Sequence, residues 1–345
     1  MWRVCLTLVA HRFFVLVVLL SSLYFSASQP PEGTANIASG QSLPALWEQL
    51  LTRVAGSKEA GQVSGSIAAN NDPFIWLGQL FHFKLGFRPE LIVLALSNLF
   101  LLLFLLELHL FVNSMALPDV AVNTCILAIL WLTSYELSLG SSLSLSCFLT
   151  VIVLRSANDD RWLITGLCFG LLALTKVFVL FLLPLLVITL IGQNRYASSD
   201  TLARKLIYLV LPLGASIYVS WELYRNLKAV LAGSALFNLI SSVDLQSALS
   251  WTLTATYLGQ TIALLVLLAG SVICLFVFST WIHRILPLTL FFALLATTPY
   301  SDLASSALLI SPVFSGIAEA CAPPLLRGIQ LLFLLFGSIE VFNLF

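Results

Sequence analysis

Charge is what this sequence has least of. Only 9% of its 345 residues are Asp, Glu, Lys or Arg, against 59% that are hydrophobic. A soluble chain carries about 25% charged residues, enough to wrap an apolar core in polar surface. Here that wrapping is missing, and the mean hydropathy is +1.01. The chain also lacks a net charge, with 16 basic and 16 acidic residues. No basic field points to nucleic acid and no acidic field to a cationic partner. Paired metal-ligand spacing is absent: His11, His82, His109 and His283 are scattered, and no HExxH occurs. Phosphate-binding glycine loops and a GxSxG elbow are absent too, which leaves nucleotide-driven and soluble hydrolytic chemistry without support. No cofactor is assigned, and a divalent cation stays open.

Long apolar runs, in contrast, extend from end to end. A spanning helix needs about 20 apolar residues. Candidates lie near 8–28, 90–112, 119–138, 141–155, 162–175, 177–192, 206–224, 257–281, 285–299, 305–320 and 326–344. The expectation is an all-α, polytopic transmembrane bundle of about eleven helices, forming a single membrane domain over 1–345. Arg3 and Arg12 flank the first run, which reads as an uncleaved first helix rather than a cleaved signal peptide. The cysteines Cys5, Cys125, Cys147, Cys168, Cys274 and Cys321 read as small buried hydrophobes.

Basic residues orient the bundle. With the N-terminus cytoplasmic, Arg3, Arg12, Arg155, Arg161, Arg195, Arg204, Lys205, Arg284 and Arg327 fall inside. Lys176, Arg225 and Lys228 fall outside, as do Arg53, Lys58, Lys84 and Arg88 in one long loop, where the rule weakens. That first loop, 29–88, is extracytoplasmic. Within it, Leu43 to Val54 reads as an interfacial amphipathic helix, and a second one follows from Asp72 to Leu85. Asp72 would cap it and Pro73 would start it.

Polar residues at the outer face are the candidate site. Glu136 stands beside Tyr135 and hydroxyl residues, Lys176 ends an apolar run, and Arg225 and Asp302 occupy outer helix ends. With Glu48 and Asp72 they share one address, the pattern of a cavity opening just above the hydrocarbon. Glu107 and His109, near the inner end of the second helix, read as residues that face neighbours or snorkel.

Several phrases resemble the polytopic GT-C glycosyltransferases, in particular the GPI mannosyltransferase II type. They are Arg161-Trp162 through Gly166, Gly170 and Lys176 into a helix containing Pro184; Ser134-Tyr135-Glu136; Leu211-Pro212 to Tyr218, followed by Leu231 to Phe237; and Asn71-Asp72-Pro73-Phe74 to Gly86, where the family's first loop re-enters the membrane. Together they cover about residues 70–320. The resemblance implies an enzyme that moves a sugar from a polyprenyl-phosphate donor to a sugar or lipid-linked acceptor at the outer face. Asp72 or Glu48 would be the catalytic base. Glu136, Tyr135, Lys176, Arg225 and Asp302 would bind substrate. The sequence departs from the family in three places. The family's Asp after the first helix is replaced by Gln29-Pro30-Pro31-Glu32, its arginine is Lys176, and its late basic residue is missing after Ser301-Asp302. Lysine keeps the charge but lacks the bidentate fork that suits phosphate. The alternative is a non-catalytic scaffold subunit or a transporter.

Overall fold

A computed structural model describes residues 2–12, 72–131, 137, 143–175, 179–194, 199–219, 234, 258–278, 281–298 and 303–343. Every regular element among the described residues is helical. After a helix over 2–12 come α1 (Pro73–Leu85), α2 (Pro89–Asn113), α3 (Pro118–Leu130), α4 (Leu143–Asn158), α5 (Trp162–Ala173) and α6 (Val179–Gln193). These are followed by α7 (Ser199–Val219), α8 (Leu258–Val277), α9 (Trp281–Thr297), α10 (Leu303–Ser306), α11 (Val313–Ala320) and α12 (Pro323–Asn343).

Three stretches, Leu91–Asn113, Asp200–Val219 and Gln260–Val277, are long and apolar enough to cross a membrane. Among the rest, α3, α4, α5, α6 and α9 are apolar but shorter. Proline sets several starts: Pro73, Pro89, Pro118 and Pro323 each begin a helix, where the missing N–H is no loss. Pro184, Pro212 and Pro287 instead lie inside helices. Such interior prolines are tolerated where neighbouring helices re-satisfy the backbone. Ser271 Oγ of α8 donates to the Pro287 carbonyl of α9 at 3.3 Å, a tie between the two helices.

The order of the helices in space follows from paired contacts. Phe100 of α2 meets Phe148 of α4, with ring centroids 5.9 Å apart. Two turns further along both helices, Glu107 meets Arg155 at 2.5 Å. The two helices therefore run parallel, with α3 returning between them. Likewise Gly166 of α5 abuts Tyr208 of α7, and Gly170 abuts Pro212 one turn on. Those helices are also parallel, with α6 between them in sequence. Alternation of this kind is what an up-and-down bundle requires.

The predicted helix over 305–320 is not continuous. It is α10, a 3-10 turn over Ala307–Ile310, a turn at Ser311-Pro312, and α11. Pro312 has no N–H to continue the ladder. This broken segment packs against α3, α4, α8 and α9, and residues 306–318 of it are buried apart from a partly exposed Ser306. The first helix also differs from expectation. Val4, Leu8, His11 and Arg12 share one face, opposite the exposed Trp2, Leu6 and Val9. Arg12 is thus not a flanking surface charge; its guanidinium nitrogens are shielded and make no hydrogen bond. All six cysteines are free thiols. Cys125, Cys147 and Cys274 are buried as expected, whereas Cys5 is exposed.

Candidate functional site

Asp72 is the one candidate residue that lies among the described residues. Glu48, Tyr135, Glu136, Lys176, Arg225 and Asp302 lie outside them, as does the predicted helix from Leu43 to Val54.

The local sequence accounts for the position of Asp72. Its carboxylate accepts from the Phe74 N–H at 2.9 Å and caps α1, and Pro73 takes the first helical position. At the other end Gly86 closes the helix at φ +70°, its N–H donating to the His82 carbonyl at 3.0 Å. That left-handed conformation favours glycine. The Nδ1 of His82 is 2.8 Å from the Phe87 carbonyl and braces the turn that leads into α2.

The hairpin is antiparallel. Phe74, at the start of α1, stacks on Phe100, with centroids 6.4 Å apart. Each residue is about three turns, or about 16 Å, from the connecting turn. So α1 does not lie across the end of the bundle. It runs alongside α2 and carries Asp72 down to the level of Phe100. Its inward face, Phe74, Ile75 and Gly78, is buried, while Trp76, Leu80 and Phe83 on the opposite face are exposed. The helix is therefore apolar on both faces. An interfacial amphipathic helix, as expected from the sequence, would have a polar one.

Other polar contacts, on the connecting-turn side of Phe100, bind the helix ends together. Ser146 Oγ and Thr175 Oγ1 are 3.5 Å apart, joining α4 to the end of α5. Trp131, just past α3, donates from Nε1 to the Ala304 carbonyl at 2.8 Å, and the Ala304 N–H donates to Gln260 Oε1 at 2.6 Å. The Trp131 ring packs against Phe314 and, edge-on, Phe333. In sequence, Thr175 precedes Lys176 and Ala304 follows two residues after Asp302. Thus ends of α3, α4, α5, α8 and α10 are tied together on one side of the bundle, the far end.

The opposite end holds the charges. Arg155 pairs with Glu107 at 2.5 Å and with Asp159 at 3.7 Å. Asp160, at φ +61°, receives Lys205 Nζ at 2.7 Å on each oxygen and Trp162 Nε1 at 2.8 Å. Lys205 also donates to Asn194 Oδ1 at 2.7 Å, and Gln193 Nε2 donates to the Ala157 carbonyl at 2.9 Å. The Lys205 hydrogen bonds, the largest effect, outweigh burial and, helped by Trp162, hold the Asp160 carboxyl below the usual carboxylate range. This ionic end joins α2, α4, α5, α6 and α7. Its ion pairs tie α2 to α4 and the α4–α5 turn to α7.

Sequence reading had Glu107 facing neighbours but could not name Arg155, 48 residues away. The Asp160–Lys205 pair was missed as well. Its one signal is the compact Asp159-Asp160-Arg161-Trp162 turn between two apolar runs. Among the described residues, no three His, Cys, Asp or Glu side chains gather as a metal site would need.

No protein family, curated protein sequence or solved structure matches the chain.

Proposed function

We propose that this protein is a GT-C type membrane glycosyltransferase, taking a sugar from a polyprenyl-phosphate donor. In this reading the ionic end is cytoplasmic and the far end, with the first loop, is extracytoplasmic. The observation that carries the reading is the Asp72 carboxylate, delivered by a re-entering helix about three turns down from its connecting turn. A carboxylate brought beside apolar helices is costly unless it has work to do.

The chemistry assigned to the site is a single displacement. The acceptor hydroxyl gives its proton to the Asp72 carboxylate. Its oxygen bonds to the sugar C1 as the C1–O bond to phosphate breaks, and the phosphate leaves with the electron pair. Lys176 stabilises the charge on that phosphate. Glu136, Tyr135, Arg225 and Asp302 line the acceptor side, and Glu48 is the second candidate base.

The test is sugar transfer by purified full-length protein from polyprenyl-phosphate sugars. Asp72→Asn, Glu48→Gln and Glu136→Gln are each compared with the wild type. Loss of about 100-fold or more in at least one variant is expected for removal of a catalytic base. Unchanged transfer in all three contradicts the reading.

One observation favours a second reading. The buried, broken segment α10–α11 is the kind of interrupted helix that transporters use to line a substrate path. Against it, the residues of that segment between Leu303 and Ala318 include no charged side chain. Solute flux in sealed vesicles, with no sugar transfer, is the outcome that selects this alternative.

A further inference from the structure

The hairpin formed by α1 and α2 has a use that does not depend on sugar transfer. Trp76, Leu80 and Phe83 are spaced four and three residues apart, one stripe along α1, and all are exposed. Phe87 in the connecting turn extends the stripe, at 53% exposure. The exposed residues of α2, Leu91, Leu99, Leu102 and Leu106, continue the same kind of surface on a helix long and apolar enough to span a membrane. At the turn end of the hairpin stand Lys84 and Arg88, both exposed. Neither forms an ion pair among the described residues.

An aromatic stripe that ends in two exposed cations fits one surroundings. Apolar side chains facing water over this length would mark an association site. Here the stripe runs parallel to a spanning helix, so lipid acyl chains are its natural solvent. Two cations about three turns above the buried tip of α1 then fall at the level of lipid phosphates. We propose that α1 is a re-entrant element seated in one leaflet of the bilayer, with its Trp76–Leu80–Phe83 stripe against acyl chains. Lys84 and Arg88 bind the phosphate of an anionic phospholipid.

The geometry sets a graded depth. Trp76 and Phe83 are seven residues apart, about 10 Å along the helix axis. Single nitroxide labels at Trp76→Cys, Leu80→Cys and Phe83→Cys read this in full-length protein lacking its native cysteines. The protein is reconstituted in phosphatidylcholine vesicles with phosphatidylglycerol. Collision rates with oxygen and with a water-soluble nickel chelate give the depth. Position 76 is expected to be deepest and 83 shallowest. Equal depths, free access to the nickel chelate, or protection from both reagents would each overturn the seating. The second arm is native mass spectrometry of the detergent-purified protein with added phosphatidylglycerol. In Lys84→Gln/Arg88→Gln, apparent affinity is expected to fall on the order of tenfold or more, with phosphatidylcholine binding unchanged. Both side chains are exposed. Unchanged phosphatidylglycerol binding, or an equal loss for both lipids, removes the phosphate site.

Discussion

Gly166 lies against the backbone of Tyr208 so closely that a methyl group on it would stand 1.8 Å from the Tyr208 carbonyl oxygen. One turn on, the same construction at Gly170 would meet Pro212 at 3.0 Å. The two glycines form a small-xxx-small pair that lets α5 and α7 touch backbone to backbone. In apolar surroundings, such close packing replaces the hydrophobic drive between helices.

Gly166→Ala must therefore separate α5 from α7. The expected cost is about 1–3 kcal/mol, and Gly166→Val should cost more. Gly192 in α6 is the control, because a methyl there meets nothing within 4 Å. Gly192→Ala should be neutral or gain about 0.5–1 kcal/mol from helix propensity. Unfolding of the purified variants in detergent measures both.

The ion pair of Glu107 and Arg155 ties α2 to α4, with about a quarter of each side chain exposed. A double-mutant cycle with Glu107→Gln and Arg155→Gln should show coupling of about 0.5–3 kcal/mol. Additive effects would show that the two side chains do not interact. Asp159, the second partner of Arg155, softens the loss in Glu107→Gln.

Asp160 gives the ionic end an acid-dependent component. Its folded carboxyl lies below its ordinary value of 3.8, chiefly because Lys205 donates to it. The stabilisation is thus fully present above that value and is lost as pH falls through the lower, folded one. The stability gap between wild type and Asp160→Asn should be constant near neutrality and shrink below pH 3.8. A gap that widens with acid would contradict the pairing.

At the far end, Trp131 is 1% exposed, and its indole N–H serves the Ala304 carbonyl. Trp131→Phe keeps a ring against Phe314 and Phe333 but removes the donor. The expected loss is about 1–3 kcal/mol, and Trp131→Ala should lose about 3–5 kcal/mol. No loss in Trp131→Phe would mean that the hydrogen bond contributes nothing.

Much of this was legible in the sequence, for local reasons. Apolar runs gave most helix positions from Pro89 onward to within about four residues, but the run 119–138 ends as a helix at Leu130 and the helix expected from 206 begins at Ser199; Asp72-Pro73 marked the start of α1. What was not legible depends on partners. The pairing of Glu107 with Arg155 is set by two helices meeting across the bundle, and periodicity does not report it. Gly166 and Gly170 stood in plain view, yet their spacing was read as part of a family phrase rather than as a contact surface. The break at Ser311-Pro312 carried a proline signal, but an uninterrupted apolar run masked it. The expectation for α1 failed in a specific way. Cap residues fix a helix and its ends, whereas the direction of the helix depends on where Phe74 finds Phe100. Of the site, the sequence put forward seven residues. Asp72 is the one among them that now has a described position, and it is also a helix cap.

The central claim is a polytopic chain with its ionic end and its long first loop on opposite sides of a membrane. Labelling in sealed vesicles with a membrane-impermeant maleimide tests it most directly, using single cysteines on a cysteine-free background. Asp200→Cys marks the exposed start of α7 at the ionic end, and Ser57→Cys marks the first loop. The account predicts that one of the two reacts in intact vesicles and the other only after the membrane is opened. Equal labelling of both from the same side would contradict it.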